Sequence, residues 1–124
     1  MKIGYTSGIF DLFHEGHKNY LSSCRKLCDF LVVGVDSDYR TKQLKGNDRP
    51  IDNIERRLKN VSFHCDYVFE KIKSSDEYIK TYRANIFFRS TDNQKHSNID
   101  MHTIYIQYTK GVSTTLLISD LGSI

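Results

Sequence analysis

Tryptophan is absent from this sequence, so no indole can wall an aromatic cage for a quaternary ammonium ligand, although eight tyrosines leave a weaker cage open. A single proline and no low-complexity tract, repeat or linker leave the 124 residues as one domain, 1–124, long enough for one ordinary hydrophobic core. Three cysteines, an odd number, argue against a disulfide framework. Cys24 and Cys28 stand four apart and Cys65 alone; a zinc site would need ligands that no further cysteine pair supplies, so buried structural thiols are expected and no metal site built from protein ligands. No run of about 18 apolar residues exists, and "MKIGYTS" reads as a strand rather than a secretory leader. Cytoplasmic residence without membrane insertion is the expectation. The net charge of +3 is too mild to argue for nucleic acid, yet it suits a phosphorylated small ligand.

What is present is patterned. With 39% hydrophobic and 27% charged residues the composition is that of a globular domain. "KIGYTS" is a short run of β-formers ending at Gly8. Tyr20, Leu21, Cys24, Leu27 and Cys28 recur at helical spacing and predict a helix over 17–28. "FLVVGV" is continuously apolar, the mark of a strand buried on both faces. Asp52 with Glu55 has capping-box spacing and opens a helix through Leu58 and Val61. A short strand lies within Asp66 to Glu70, Ser74 with Glu77 repeats the capping signal, and "NIFF" and "TIYIQY" follow as strands. "TTLLISDLGSI" reads as a closing helix. This alternation predicts an α/β fold, a Rossmann-like single domain whose five-stranded parallel sheet carries helices on both faces. Ligands then bind beyond the carboxyl ends of the strands.

"GIFDLFHEGH", residues 8 to 17, leaves strand one at that end. Gly8 allows a sharp turn and close approach to a ligand. His14 and His17 are i and i+3 in a first helical turn, so both rings share one face. Gly16 between them removes a side chain that would block access to an anion at the helix N-terminus. Two imidazoles there supply directed donors for phosphate oxygens.

The stretch resembles the HxGH signature of the nucleotidyltransferase superfamily, in its cytidylyltransferase branch, which reads roughly G-x-F-D-L-x-H-x-G-H. "YTKGVSTT", from Tyr108 to Thr115, is similar to that branch's second signature, and "SDYRTKQLKGNDRP" followed by "ERR" resembles its lysine-glycine loop and the helix after it. The resemblance spans essentially the whole chain, and its length is that of the stand-alone glycerol-3-phosphate cytidylyltransferases; the phosphocholine and phosphoethanolamine enzymes share the core.

The resemblance implies transfer of CMP from CTP to a phosphorylated small alcohol, with pyrophosphate released, a magnesium ion held mainly by the nucleotide phosphates, and a homodimer. It implies catalytic roles for His14, His17 and Lys45, with Lys42 a second contact. Gly8, Ile9, Phe10, Gly16, Tyr108, Lys110, Gly111, Val112, Ser113 and Thr114 join them at the nucleotide. Asp11, Asp38 and Asp66 are the acceptor-binding candidates; Asp11 either orients the acceptor or anchors the loop, and Asp36 ends strand two beside Asp38. Arg56 or Arg57 could reach a phosphate. Tyr108 stands where the family has an arginine, Lys110 where it usually has a glutamate, and Arg89, Ser90 and Thr91, with Asp92 beyond them, replace an acidic pair that helps recognise the nucleotide. An ATP-using enzyme of the same fold and a non-catalytic nucleotide-binding homologue therefore stand as alternatives.

Overall fold

A computed structural model of the chain describes residues 1–91 and 101–107. Its elements are β1 (Ile3–Gly8), α1 (Glu15–Lys26), β2 (Phe30–Asp36), α2 (Asp38–Lys45), α3 (Ile54–Ser62), β3 (Tyr67–Lys71), α4 (Ser75–Tyr82), β4 (Ile86–Ser90) and β5 (His102–Ile106). The five strands form one sheet in the order β3-β2-β1-β4-β5, every pairing parallel. The closing helix expected after "YTKGVSTT" lies outside the described residues.

Alternation along the strands divides the interior into two layers. Leu31, Val33 and Val35 of β2 and Ile86 and Phe88 of β4 pack against Tyr20, Leu21 and Cys24 of α1 and Val61 of α3. Val32 and Phe87, one residue out of phase, join Tyr5 and Ile79 on the α4 side, with Phe69, Tyr78 and Tyr82 packed around them. The chain runs β1 to β2 to β3 in one direction and then returns across the sheet to β4. Right-handed crossovers therefore place α1 and α3 on one face and α4 on the other. The direction reverses between β1 and β4, so the crevice belongs at the carboxyl end of β1.

Close packing constrains β1 itself. A Cβ on Gly4 would sit 2.5 Å from the Phe88 ring and 2.9 Å from the Cys28 Sγ, so no larger residue fits between α1 and the sheet there. Cys24 and Cys65 are buried, and the thiols of Cys28 and Cys65 point to main-chain carbonyls at 3.4 and 3.5 Å.

Three details depart from the expectations. Residues 38–45, read as loop, form α2: Ser37 accepts from the Arg40 N–H at 3.1 Å, and Gly46 closes the helix with φ 108°. The cap of α3 is Asn53, accepting from the Arg56 N–H at 2.9 Å, one residue beyond Asp52. Helix α1 starts at Glu15, two residues before the expected start at His17, because its cap is a histidine.

Candidate active site

The loop from Gly8 to His14 turns through two non-glycine residues of left-handed backbone, Phe10 (φ 54°) and Leu12 (φ 48°). Such a conformation costs energy that surrounding contacts must offset. Phe10 is buried in the α1-side core, and its ring meets His17 edge-on at 5.5 Å between centroids. It can offer a ligand only its main chain. Ile9 spends its carbonyl on Arg57 Nη1 at 2.9 Å.

His14 is the N-cap of α1. Its Nδ1 accepts from the Gly16 N–H at 3.0 Å, and the His14 N–H donates to His17 Nδ1 at 3.2 Å, a reciprocal capping arrangement with imidazoles in place of hydroxyl and carboxylate. The rings stack 3.8 Å apart, and Phe13 covers His17 from one side at 5.4 Å. His17 is only 7% exposed. Burial drives its pKa down to about 3, with the neighbouring His14 acting in the same direction and Asp11 opposing. Burial lowers His14 as well. Both rings are therefore neutral at pH 7. In a neutral imidazole whose Nδ1 accepts, the proton sits on Nε2. Both side chains thus carry an Nε2–H donor. Among the described residues, His14 Nε2 is the buried side-chain polar atom without a hydrogen-bond partner.

Other polar residues at this end are consumed internally. Asp11 is 0% exposed and accepts from the main-chain N–H groups of Leu12, Ile51 and Asp52 and from Arg49 Nε at 3.3 Å. A carboxylate so enclosed cannot meet an acceptor, so its acceptor-binding role is corrected to that of the loop's anchor. Arg57 is also fully buried. It donates to the carbonyls of Asp52, Ile9 and Asp36 and, at 2.6 Å, to Asp38 Oδ1. This residue ties the loop to the end of β2 and the start of α2, and is not available to a phosphate; Arg56 is exposed, its Nε 3.8 Å from Asp52. Asp38 stays at the carboxyl edge, partly exposed and held by Arg57.

Asp66 is also corrected. It accepts from the Leu31 N–H at 2.8 Å and from Arg25 at 3.0 Å, so it sits where β2 begins, at the amino end of the sheet and away from the site. Lys45 is the exposed last residue of α2 rather than part of a loop, and Lys42 reaches the carbonyls of Asn47 and Arg49 at 3.4 and 3.1 Å. Tyr108, Lys110, Gly111, Val112, Ser113 and Thr114, together with Asp92, lie outside the described residues.

A cavity of about 310 Å³ opens over the strand ends, lined by residues including Ser7, Gly8, Asp36, Lys71, Arg89 and Ser90. These are residues at or next to the carboxyl ends of β1, β2, β3 and β4. Sequence reasoning missed Lys71, although it closes β3, and strand-final residues line the site of any parallel sheet. A larger groove of about 570 Å³ runs between α1 and α3, with Leu12 and Phe13 of the loop after β1 in its lining. Among the described residues no helix is long and apolar enough to cross a membrane.

A parallel sheet of this order, with the stacked imidazoles of a capping box where its direction reverses, defines an α/β nucleotidyltransferase. The cytidylyltransferase-like family model matches residues 5–115, and the chain belongs to that family. It is 35% identical over 130 aligned positions to the "Bifunctional protein HldE" of a Nitratiruptor species, covering 98% of this chain and 28% of that protein. It is 49% identical over 57 residues to the protein of the same description from Escherichia coli (strain K12 / DH10B), covering 46% of this chain and 12% of that one. The chain thus spans a minor part of the curated relatives it matches. Among solved structures, the lipopolysaccharide core biosynthesis protein from Thermoplasma volcanium GSS1 shares the fold with a TM-score of 0.72 and 21% identity, covering 89% of this chain and 98% of that one.

Proposed function

We propose that the chain transfers CMP from CTP to the phosphate of a small alcohol, glycerol 3-phosphate or a similar polyol phosphate, releasing pyrophosphate. The observation that carries nucleotidyl transfer is the unpartnered Nε2 of His14 beside His17 at the switch point. An acceptor phosphate oxygen attacks the α-phosphorus as the bond to the bridging oxygen of pyrophosphate breaks. Negative charge grows on the α-phosphate oxygens and on the leaving group. The neutral Nε2–H of His14, locked by its Nδ1 bond and stacked on His17, meets that charge without reorganising. Neither imidazole must gain or lose a proton. Lys45, exposed at the end of α2, supplies a mobile positive charge, and by resemblance Ser113 and Thr114 take the departing pyrophosphate.

Magnesium fits as a passenger of the nucleotide. Among the described residues no group of three His, Cys, Asp or Glu side chains could cage it, and Asp11 and Asp36 already face cations. When bound on the phosphates it would neutralise their charge. By the same resemblance the chain is a cytoplasmic homodimer, which sedimentation would test.

A second reading is adenylyl transfer from ATP to a sugar phosphate. It is favoured by the similarity to a lipopolysaccharide core biosynthesis protein and to HldE proteins, and by Arg89, Ser90 and Thr91 at the end of β4. Melting the purified chain with magnesium and CTP, ATP, UTP or GTP separates the readings, because a ligand of the folded state raises the midpoint according to its affinity. Stabilisation by CTP alone supports the first reading and by ATP alone the second. No shift with any nucleotide makes the chain a non-catalytic homologue. Pyrophosphate release with a panel of phosphorylated alcohols then identifies the acceptor.

A further inference from the structure

Asp36 closes β2 and Lys71 closes β3, and the two are register partners across the parallel ladder. The Ser37 N–H donates to the Lys71 carbonyl at 3.0 Å, which fixes the two strand ends together. Both residues are 6% exposed. Asp36 Oδ1 lies 3.0 Å from Arg40 Nε and 3.6 Å from Lys71 Nζ. One carboxylate oxygen thus serves two cations, and the second contact is longer than a hydrogen bond. Lys71 and Asp36 are buried and Arg40 is partly exposed, so at the rim two cations share one carboxylate. Burial pulls the Lys71 pKa below its ordinary value, with Arg40 acting in the same direction and Asp36 and Asp76 opposing.

The imbalance faces the cavity over the strand ends. Its described lining holds Arg40 and Lys71 with the carboxylate of Asp36, and the hydroxyls of Ser7 and Ser75 beside them. Lys71 and Arg40 approach from the β2–β3 side of β1, whereas the imidazoles stand at the start of the helix that follows it. An anion held at the first place is on a different strand end from a nucleotide phosphate held at the second. Two cations preset by one carboxylate are suited to a phosphate monoester, whose oxygens offer each of them a charge-assisted bond.

We infer that Lys71 and Arg40 seat the phosphate of the acceptor, and that Lys71 selects a phosphorylated acceptor over its parent alcohol. This rests on the nucleotidyl-transfer reading for the acceptor's role, but the anion site itself can be tested apart from it.

Calorimetric titration of the purified chain with inorganic phosphate, glycerol 3-phosphate and glycerol, each with and without saturating nucleotide, is the test. Wild type binds the two phosphates and not glycerol. Lys71→Met weakens both phosphates about tenfold or more while changing nucleotide affinity less than about twofold. Lys71→Arg restores most of the loss, and His17→Asn shows the reverse pattern, weakening the nucleotide and sparing phosphate. Arg40→Gln, at a more exposed position, makes the same comparison if Lys71→Met does not fold. The inference is overturned if wild type binds neither phosphate, or if Lys71→Met and Arg40→Gln bind phosphate as wild type does, the cluster then being an internal ion pair. It is overturned equally if these variants weaken nucleotide and phosphate alike, which would place the triphosphate there. Phosphate binding that depends on Lys71 in a chain that binds no nucleotide would sink the nucleotidyl-transfer reading and leave the anion site standing.

Discussion

The chain leaving β1 contributes to two buried polar clusters built on opposite plans. Around Arg57 every nitrogen of the guanidinium has an oxygen: the carbonyls of Ile9, Asp36 and Asp52 and the carboxylate of Asp38. Asp11 is satisfied in the same way by three main-chain N–H groups and Arg49. Around His14 and His17, main-chain donors satisfy the inner ring nitrogens, and His14 Nε2 keeps its bonding capacity. The first cluster holds the loop's shape and the second uses that shape. Both are polar; the difference lies in what is left unspent.

The contrast is sharpest in Arg57→Met. Removing one partner of a buried charged network strands the others, so this variant should lose about 3–5 kcal/mol of stability in urea unfolding. Lysine at the same position should recover little, because it lacks the planar fork. His14→Asn should do the opposite. Its melting temperature should stay near that of wild type, while kcat for pyrophosphate release should fall roughly a hundred- to a thousandfold, the usual cost of one preset donor to a developing charge. Equal losses of stability in both variants would abolish the distinction.

Acid provides a third comparison. His17 titrates near 6.5 when unfolded and about 3 when folded. Between those values the unfolded chain binds the extra proton, so stability falls on acidification across that window and is flat above it, with a slope of about 1.4 kcal/mol per pH unit from this residue. Denaturant midpoints measured from pH 7 to pH 4 should show the decline, and His17→Asn should flatten it. The smallest effect concerns a cap. Asn53→Ala should cost about 1 kcal/mol by losing its bond to the Arg56 N–H, whereas Ser74→Ala should cost less, since the Ser74 side chain bonds Asp76 and caps no main-chain N–H.

The strands and their buried faces were legible in the sequence because "FLVVGV" and the 3.6-residue stripe of α1 are strong periodic signals. Helix α2 was not, because "DYRTKQLK" buries only Thr41 and has no apolar stripe; its caps, rather than its pattern, make it helical. Asp52 and Asn53 are both good caps, and periodicity cannot choose between neighbours. At the site, spacing identified His14 and His17, but their neutral state and the unpartnered Nε2 of His14 depend on contacts that only the fold creates. The misplacement of Asp66 was avoidable on topology alone, since a residue preceding a parallel strand lies at the end opposite the ligand. Asp11 and Arg57 escaped because a paired charge and an available one look identical in sequence.

The central position of β1 has a consequence for how the crevice comes into being. Ile3 bonds Asn85, 82 positions later, and Thr6 donates to the Phe88 carbonyl across the same span. Local hairpins contribute nothing to a sheet of this kind, and every strand pairing must close a long loop. During synthesis β1 waits, with one edge unpaired, until β4 has emerged. The switch point is therefore completed late, and slow or interrupted translation before residue 86 would expose the strand that carries the catalytic loop.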